Sequence, residues 1–213
     1  MELNSYIDAT LLKADLTTEE VLTLCESAKE FNVAAVCVPG RFLKFVAEEL
    51  KDTAIAPCTV IGFPLGNSSP EAKLEEAKIA IRDGARELDM VLQIGALKSK
   101  EYKLVEDEIS KIVRLGVLVK VIIETALLSE EEIKLGVRSI EEAGAQYVKT
   151  STGFSARGAS VRDIEVIKSA IKSNTKIKAS GGIRARDFVL ELIKHGADRI
   201  GTSQPKQILK FEQ

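Results

Sequence analysis

The chain has 213 residues, of which 45% are hydrophobic and 29% are charged, and its formal net charge is -2 at pH 7. This length predicts one well-buried core and a single domain over residues 1–213. The charge balance argues against nucleic-acid and anionic-membrane partners, and no apolar stretch approaches the ~20 residues of a membrane span. The N-terminus lacks a signal-peptide pattern, and three cysteines, an odd number, favour free thiols in a reducing cytoplasm.

Short apolar runs typical of β-strands alternate along the chain with amphipathic stretches typical of helices. The predicted strands cover residues 5–8, 33–38, 55–61, 87–92, 117–123, 147–150, 176–180 and 197–201. Thr17 with Glu20 and Ser129 with Glu132 predict capping boxes that begin two of the helices. Pro70 suits the first position of another helix.

A glycine recurs between a helical stretch and the next strand, as expected for a left-handed helix cap. These glycines are Gly84, Gly116, Gly144 and Gly196. Their spacing gives one βα unit in about 26 to 32 residues. Eight such units predict a closed (β/α)₈ barrel, which needs only ~200 residues. An open doubly wound sheet is the competing architecture, but no Gly-x-Gly-x-x-Gly motif follows an early strand.

Three ionisable residues share the interior face of the predicted barrel. Because strand side chains alternate between faces, Asp89, Lys149 and Lys178 point inward while their neighbours meet the helices. They lie toward the carboxyl ends of their strands, where barrel enzymes place their chemistry. A purely structural ion-pair network is the alternative. Since burial of three ionisable groups is costly, we favour a functional site.

Paired lysines in one pocket predict amine chemistry. A free lysine has a pKa of ~10.4, and a neighbouring cation and partial desolvation both lower it. With Lys178 beside it, a neutral Lys149 could attack a carbonyl and form a Schiff base, an electron sink for cleavage of a carbon–carbon bond. Asp89, with Lys178, would then move protons. This chemistry needs no metal, and His195 suits a helix C-terminus better than a metal site.

Loops after the sixth, seventh and eighth strands carry glycines and hydroxyl groups suited to a phosphate. Loops after strands seven and eight commonly hold phosphate in such barrels, because glycine lets backbone N–H groups approach the anion. The predicted contacts are Thr152, Gly153, Gly181, Gly182, Arg184, Gly201 and Ser203.

Several segments closely resemble deoxyribose-phosphate aldolases. The segments are 148–154, 178–184, 87–91 and 61–66, with 36–39 and the opening 7–13. The resemblance implies a class I aldolase with a (β/α)₈ fold and no cofactor, which reversibly cleaves 2-deoxy-D-ribose 5-phosphate to acetaldehyde and D-glyceraldehyde 3-phosphate. It assigns the Schiff base to Lys149 and proton transfer to Asp89 and Lys178. It also implies a cytoplasmic homo-oligomer, a dimer or tetramer.

The sequence departs from the usual family pattern at a few positions and leaves two other functions open. Ala9 stands where many members have His, Ala14 where many have Pro, and Gln204 where a second Ser is common. One alternative is a Schiff-base aldolase for another phosphosugar. The other is a non-catalytic phosphosugar-binding barrel, against which Asp89 argues, because binding alone needs no acid/base group.

Overall fold

Eight parallel strands close into a barrel in the computed structural model, which describes residues 2–210. Each strand pairs with the next along the chain, and the last pairs with the first. The strands are β1 (Ile7–Thr10), β2 (Ala35–Val38), β3 (Ala56–Ile61), β4 (Glu87–Val91), β5 (Leu118–Ile122), β6 (Tyr147–Lys149), β7 (Lys176–Ser180) and β8 (Arg199–Thr202). The predicted single-domain (β/α)₈ barrel is therefore confirmed.

Helices cover the outside of the barrel between successive strands. Within the described range they are α1 (Thr18–Phe31), α2 (Leu43–Glu49), α3 (Pro70–Arg82), α4 (Ile94–Lys98), α5 (Tyr102–Val113), α6 (Glu130–Glu142), α7 (Val161–Ala170), α8 (Arg186–His195) and α9 (Pro205–Leu209). None of them has the length and apolar character needed to cross a membrane.

The predicted helix starts are confirmed at the level of individual hydrogen bonds. The side chains of Thr17 and Ser129 each accept a hydrogen bond from the backbone N–H three residues later. The glutamate side chain at that later position accepts one from the backbone N–H of the capping residue. Ser160 forms the same box with Asp163 at the start of α7. Such caps satisfy N–H groups that lack partners within the helix, so they fix where each helix begins.

The first strand begins two residues later than predicted. Residues Leu3–Tyr6 form a 3₁₀ turn, and β1 starts at Ile7. The register is set by Asp8, which pairs with Ala35 of β2 and Gly201 of β8. Asp8 therefore lies inside the sheet instead of at its end.

Two different cores result from this closure. The larger core, between the strands and the helices, includes Leu88 and Met90 of β4. Inside the barrel, a small apolar cluster on β2 and β3 includes Cys37 and Cys58. Several charged side chains share this interior, an arrangement that needs its own explanation because such groups are rarely buried.

Candidate active site

A cluster of charged side chains fills the barrel interior beneath the carboxyl ends of the strands. It joins six strands, and its members are Asp8, Glu87, Asp89, Lys120, Lys149, Lys178 and Arg199. We call this set the interior cluster. Two of its lysines, Lys149 and Lys178, stand side by side because they are register partners on β6 and β7.

Asp89 is the centre of the interior cluster. Its Oδ2 accepts hydrogen bonds from Lys149 Nζ at 2.7 Å and Lys178 Nζ at 2.6 Å. Its Oδ1 accepts one from Lys120 Nζ at 2.8 Å. All four side chains are buried. The structure thus brings together the three residues predicted from strand parity and adds Lys120 as a third lysine.

Asp8 forms a second bridge on the β1 side of the barrel. It pairs with Lys178, and Arg199 Nη1 donates to its Oδ1 at 2.6 Å. Lys120 also reaches Glu87 Oε2 at 2.5 Å. Asp8, Lys120 and Arg199 were not among the site residues predicted from the sequence. Lys120 carried a usable signal, because it lies in the middle of an otherwise apolar strand.

Attraction between these charges outweighs the penalty of burial. Burial favours the neutral form of each group, yet the nearby cations hold the pKa of Asp8 and Asp89 below the ordinary range of an aspartate. Burial also favours a neutral Lys178, but Asp8 and Asp89 raise the pKa of Lys178. The carboxylates therefore stay ionised and Lys178 keeps its proton at neutral pH.

A cavity of about 400 Å³ opens above the interior cluster. Lys149 lines it, whereas Asp89 and Lys178 lie beneath its floor. All seven residues predicted to contact a phosphate also line it: Thr152, Gly153, Gly181, Gly182, Arg184, Gly201 and Ser203. An amine at the base and a glycine-rich wall above it suit a small carbonyl compound that carries an anionic group.

Two glycines are required by the geometry of this cavity. A Cβ on Gly201 would stand 2.4 Å from Ser180 Oγ and 3.3 Å from Lys178 Cε, so a larger residue would displace the lysine. Gly181 has a φ of +88° and its Cα approaches the Cα of Gly158 so closely that a Cβ would lie 2.9 Å from it. Both positions exclude side chains and so leave room for a ligand in the cavity.

A family model described as DeoC/LacD family aldolase matches residues 3–203. The chain belongs to this aldolase family. Deoxyribose-phosphate aldolases of Mycoplasmoides pirum and Clostridium botulinum (strain Okra) are both 48% identical to it. Each alignment covers 99% of this chain, and 97% and 100% of the respective relative. The predicted family and enzyme class, a carbon–carbon lyase, are thereby confirmed.

Solved structures agree with this assignment. The chain superposes on the tetrameric deoxyribose phosphate aldolase of Aeropyrum pernix with a TM-score of 0.91 and 35% sequence identity. That match covers 97% of this chain and 89% of the other. The barrel and its order of strands are therefore those of a family of aldolases.

The aldolase cavity has further lining residues that the sequence argument missed. They include Lys13, Leu12, Phe154 and Ser180. Lys13 is half-exposed and pairs with Glu20 at 2.6 Å. The Ser180 hydroxyl is buried and has no hydrogen-bond partner among residues 2–210. An unpartnered buried hydroxyl is unusual, so Ser180 is available to a ligand in the cavity.

Cys37, Cys58 and Asp89 come close enough to suggest a metal site in the aldolase. Their donor atoms lie within 4.8 Å of one another. However, three lysines already contact Asp89, among them the protonated Lys120 and Lys178, and Lys120 Nζ also lies 3.6 Å from Cys58 Sγ. Positive charge at this density repels a divalent cation. Burial beside Asp89 also raises the pKa of the Cys58 thiol and so disfavours the thiolate that would bind a metal.

Proposed function

We propose that this aldolase reversibly cleaves 2-deoxy-D-ribose 5-phosphate to acetaldehyde and D-glyceraldehyde 3-phosphate through a Schiff base on Lys149. The observation that carries the proposal is the placement of Lys149 at the cavity floor, 2.7 Å from Asp89 and next to Lys178. The names of the 48% identical relatives support the choice of substrate.

The reaction begins with attack by the neutral amine of Lys149 on the C1 aldehyde of the open-chain sugar. Loss of water gives a protonated imine. Removal of the proton from the C3 hydroxyl breaks the C2–C3 bond, and its electron pair moves into the imine to form an enamine. D-glyceraldehyde 3-phosphate leaves, C2 takes up a proton, and hydrolysis releases acetaldehyde and the free amine.

Asp89 and Lys178 have different parts in these proton transfers. A raised pKa makes Lys178 a proton-bearing group at neutral pH, so it is the donor of the pair. A lowered pKa keeps Asp89 ionised and makes it a weak base, so its part is to hold the side chains of Lys149 and Lys178 in place through Oδ2. Asp89 thus works through the lysines that it holds, consistent with its place below the cavity floor.

The phosphate is held by the glycine-rich wall of the cavity. Gly181 and Gly182 precede α8, and both have positive φ angles, which aim successive N–H groups outward. Arg184, Gly201 and Ser203 complete this wall from β7 and β8, and Thr152 with Gly153 extends it from β6. The free hydroxyl of Ser180 is placed to bond a sugar oxygen between the wall and Lys149.

Substrate choice is tested by comparing cleavage of deoxyribose 5-phosphate with cleavage of fructose 1,6-bisphosphate and other sugar phosphates. We expect the highest kcat/KM for deoxyribose 5-phosphate, and no cleavage by Lys149→Leu. A clear preference for another sugar phosphate would favour the alternative aldolase. Binding of deoxyribose 5-phosphate without turnover by the folded wild type would favour a non-catalytic barrel.

We also propose that the aldolase is a homo-oligomer that acts in the cytoplasm. The Aeropyrum pernix relative is described as a tetramer, and the three free, buried cysteines Cys25, Cys37 and Cys58 suit a reducing compartment. Light scattering on a sizing column tests the first point. A mass of one 23.2 kDa chain across the micromolar range would contradict it.

A further inference from the structure

The interior cluster extends away from the cavity to the amino-terminal end of the barrel. Arg199 is the first residue of β8 and Glu87 is the first residue of β4. Their side chains are 12% and 8% exposed, and neither lines the cavity. The two side chains face each other with Arg199 Nη2 3.4 Å from Glu87 Oε1. They lie too far from the cavity to touch a substrate held there.

Both residues are nevertheless connected to Lys149 through short ionic contacts. Arg199 binds Asp8, Asp8 binds Lys178, and Lys178 shares Asp89 Oδ2 with Lys149. Glu87 binds Lys120, which contacts the other oxygen of Asp89 at 2.8 Å. Since water is excluded from these contacts, a change of charge at either end is weakly screened at the amine.

The formal charges of the interior cluster do not balance when Lys149 is protonated. Its four basic side chains, Lys120, Lys149, Lys178 and Arg199, face three carboxylates, Asp8, Glu87 and Asp89. The cluster becomes neutral when Lys149 loses one proton. A buried excess of positive charge therefore favours the neutral amine that the proposed reaction needs.

Other titratable groups border the interior cluster and stay unchanged in the variants considered below. They are Cys37 on β2, Cys58 on β3, Glu124 after β5, Tyr147 on β6 and Lys176 on β7. Arg199 and Lys176 both lie over the Tyr147 ring, at 5.8 and 5.9 Å from its centroid. Replacement of Arg199 or Glu87 by an uncharged residue thus changes the charge of the cluster by one unit.

We propose that Arg199 and Glu87 are positioning residues of opposite effect, which set the fraction of Lys149 present as the reactive neutral amine. Arg199 supplies the positive excess that expels the proton from Lys149, and Glu87 limits that excess. This inference rests on the proposed Schiff base. A purely structural salt bridge would behave differently, because loss of either partner would then disturb the site in the same way.

The test compares Arg199→Gln, Glu87→Gln and the double variant with wild type. The measured quantity is the pH at which trapping of acetaldehyde on Lys149 by cyanoborohydride reaches half its maximal rate. We expect this midpoint to rise by about one pH unit in Arg199→Gln and to fall by about one in Glu87→Gln. The double variant restores the charge of wild type and should restore its midpoint. Arg199→Lys, which keeps the charge, should stay near wild type.

The outcomes separate this inference from the proposed function. No adduct on wild-type Lys149 would refute the Schiff base itself. Labelling of wild type with both single-variant midpoints unchanged, or moved in the same direction, would overturn only the role of Arg199 and Glu87. If one single variant does not fold, as judged by circular dichroism, the direction of the other midpoint decides. A double variant further from wild type than either single variant also contradicts the proposal.

Discussion

Two regions of this aldolase bury a lysine against a carboxylate, and they differ in how many partners each charge has. In the interior cluster, Asp89 contacts three lysines, and Asp8 contacts two lysines and an arginine. On the outside of the barrel, Lys73 of α3 forms a single pair with Glu108 of α5, at 3.0 Å from both carboxylate oxygens. Both regions are buried.

The net pKa shifts of the buried groups have opposite directions in the two regions. Burial lowers the pKa of Lys73 and raises the pKa of Glu108, because one oppositely charged contact for each does not offset the loss of water. In the interior cluster burial again favours the neutral form of each group, but several oppositely charged partners outweigh it. The pKa of Asp89 is therefore lowered and the pKa of Lys178 is raised. The number of oppositely charged partners, more than burial itself, therefore decides whether a buried group stays ionised. The Lys73–Glu108 pair is structural, whereas the interior cluster keeps ionised groups beside the proposed nucleophile.

Lys149→Leu is expected to have the largest effect and to separate chemistry from stability. We expect the rate of deoxyribose 5-phosphate cleavage to fall by about 10⁴-fold or more, because the proposed covalent nucleophile is lost. The urea midpoint should fall little, since Asp89 keeps Lys120 and Lys178 as partners. Lys176→Leu, at an exposed site on the neighbouring strand, is the control and should keep its activity. Cleavage at the wild-type rate by the Lys149 variant would contradict the assignment.

Lys73→Met tests the structural side of the comparison. Removal of one partner leaves Glu108 buried without its cation, so the free energy of unfolding should fall by about 3–5 kcal/mol. Activity per folded molecule should stay near that of wild type, because Lys73 lies outside the barrel, where it also donates to the Val91 carbonyl at 2.8 Å. Urea denaturation and steady-state kinetics measure the two quantities.

The double variant Lys73→Met/Glu108→Leu tests whether the buried ion pair contributes net stability. An apolar pair of similar volume needs no solvation, so most of the lost stability should return. If the double variant is less stable than the single variant, the pair has a favourable net interaction and the contrast with the interior cluster fails.

The pH dependence of stability should differ between the two regions. Asp8 has a lower pKa in the folded chain than its ordinary value of 3.8, so its contribution is full above that pH and lost as the pH falls below it. Asp8→Asn should therefore reduce the loss of stability between pH 6 and pH 3 by about 1 kcal/mol. Glu108 has a raised pKa, so the folded state takes up its proton first. Glu108→Gln should make the acid loss steeper, as read from urea midpoints between pH 6 and pH 3. Shifts of the same sign in both variants would contradict this difference.

Much of the fold and part of the site could be predicted from the sequence, for reasons that particular residues show. Capping boxes such as Thr17 with Glu20 act within one turn, and the period of two along β4, β6 and β7 places Asp89, Lys149 and Lys178 inside. Patterns of this kind depend on residues that are close together in the sequence, so they can be recognised without the structure.

The missed members of the interior cluster depend on contacts that no local pattern records. Asp8 meets Arg199 across 191 residues of chain, through the closure of β1 on β8. Its strand begins two residues later than predicted, because a 3₁₀ turn precedes it. The alternation of faces along β7 would also point Lys176 inward with Lys178, yet Lys176 is exposed at the start of the strand and lies over Tyr147. At a strand end the long side chain reaches solvent, which the alternation rule does not include.

The most direct test of Lys149 as the nucleophile is to find which buried lysine reacts with acetaldehyde. The folded aldolase is treated with acetaldehyde and cyanoborohydride, and each lysine is assigned by peptide mass mapping. Among the four buried lysines of the described chain we predict a reduced ethyl adduct on Lys149, with Lys73, Lys120 and Lys178 unmodified, because Lys149 alone of the four lines the cavity. An adduct on Lys178 with Lys149 unmodified would contradict the central claim.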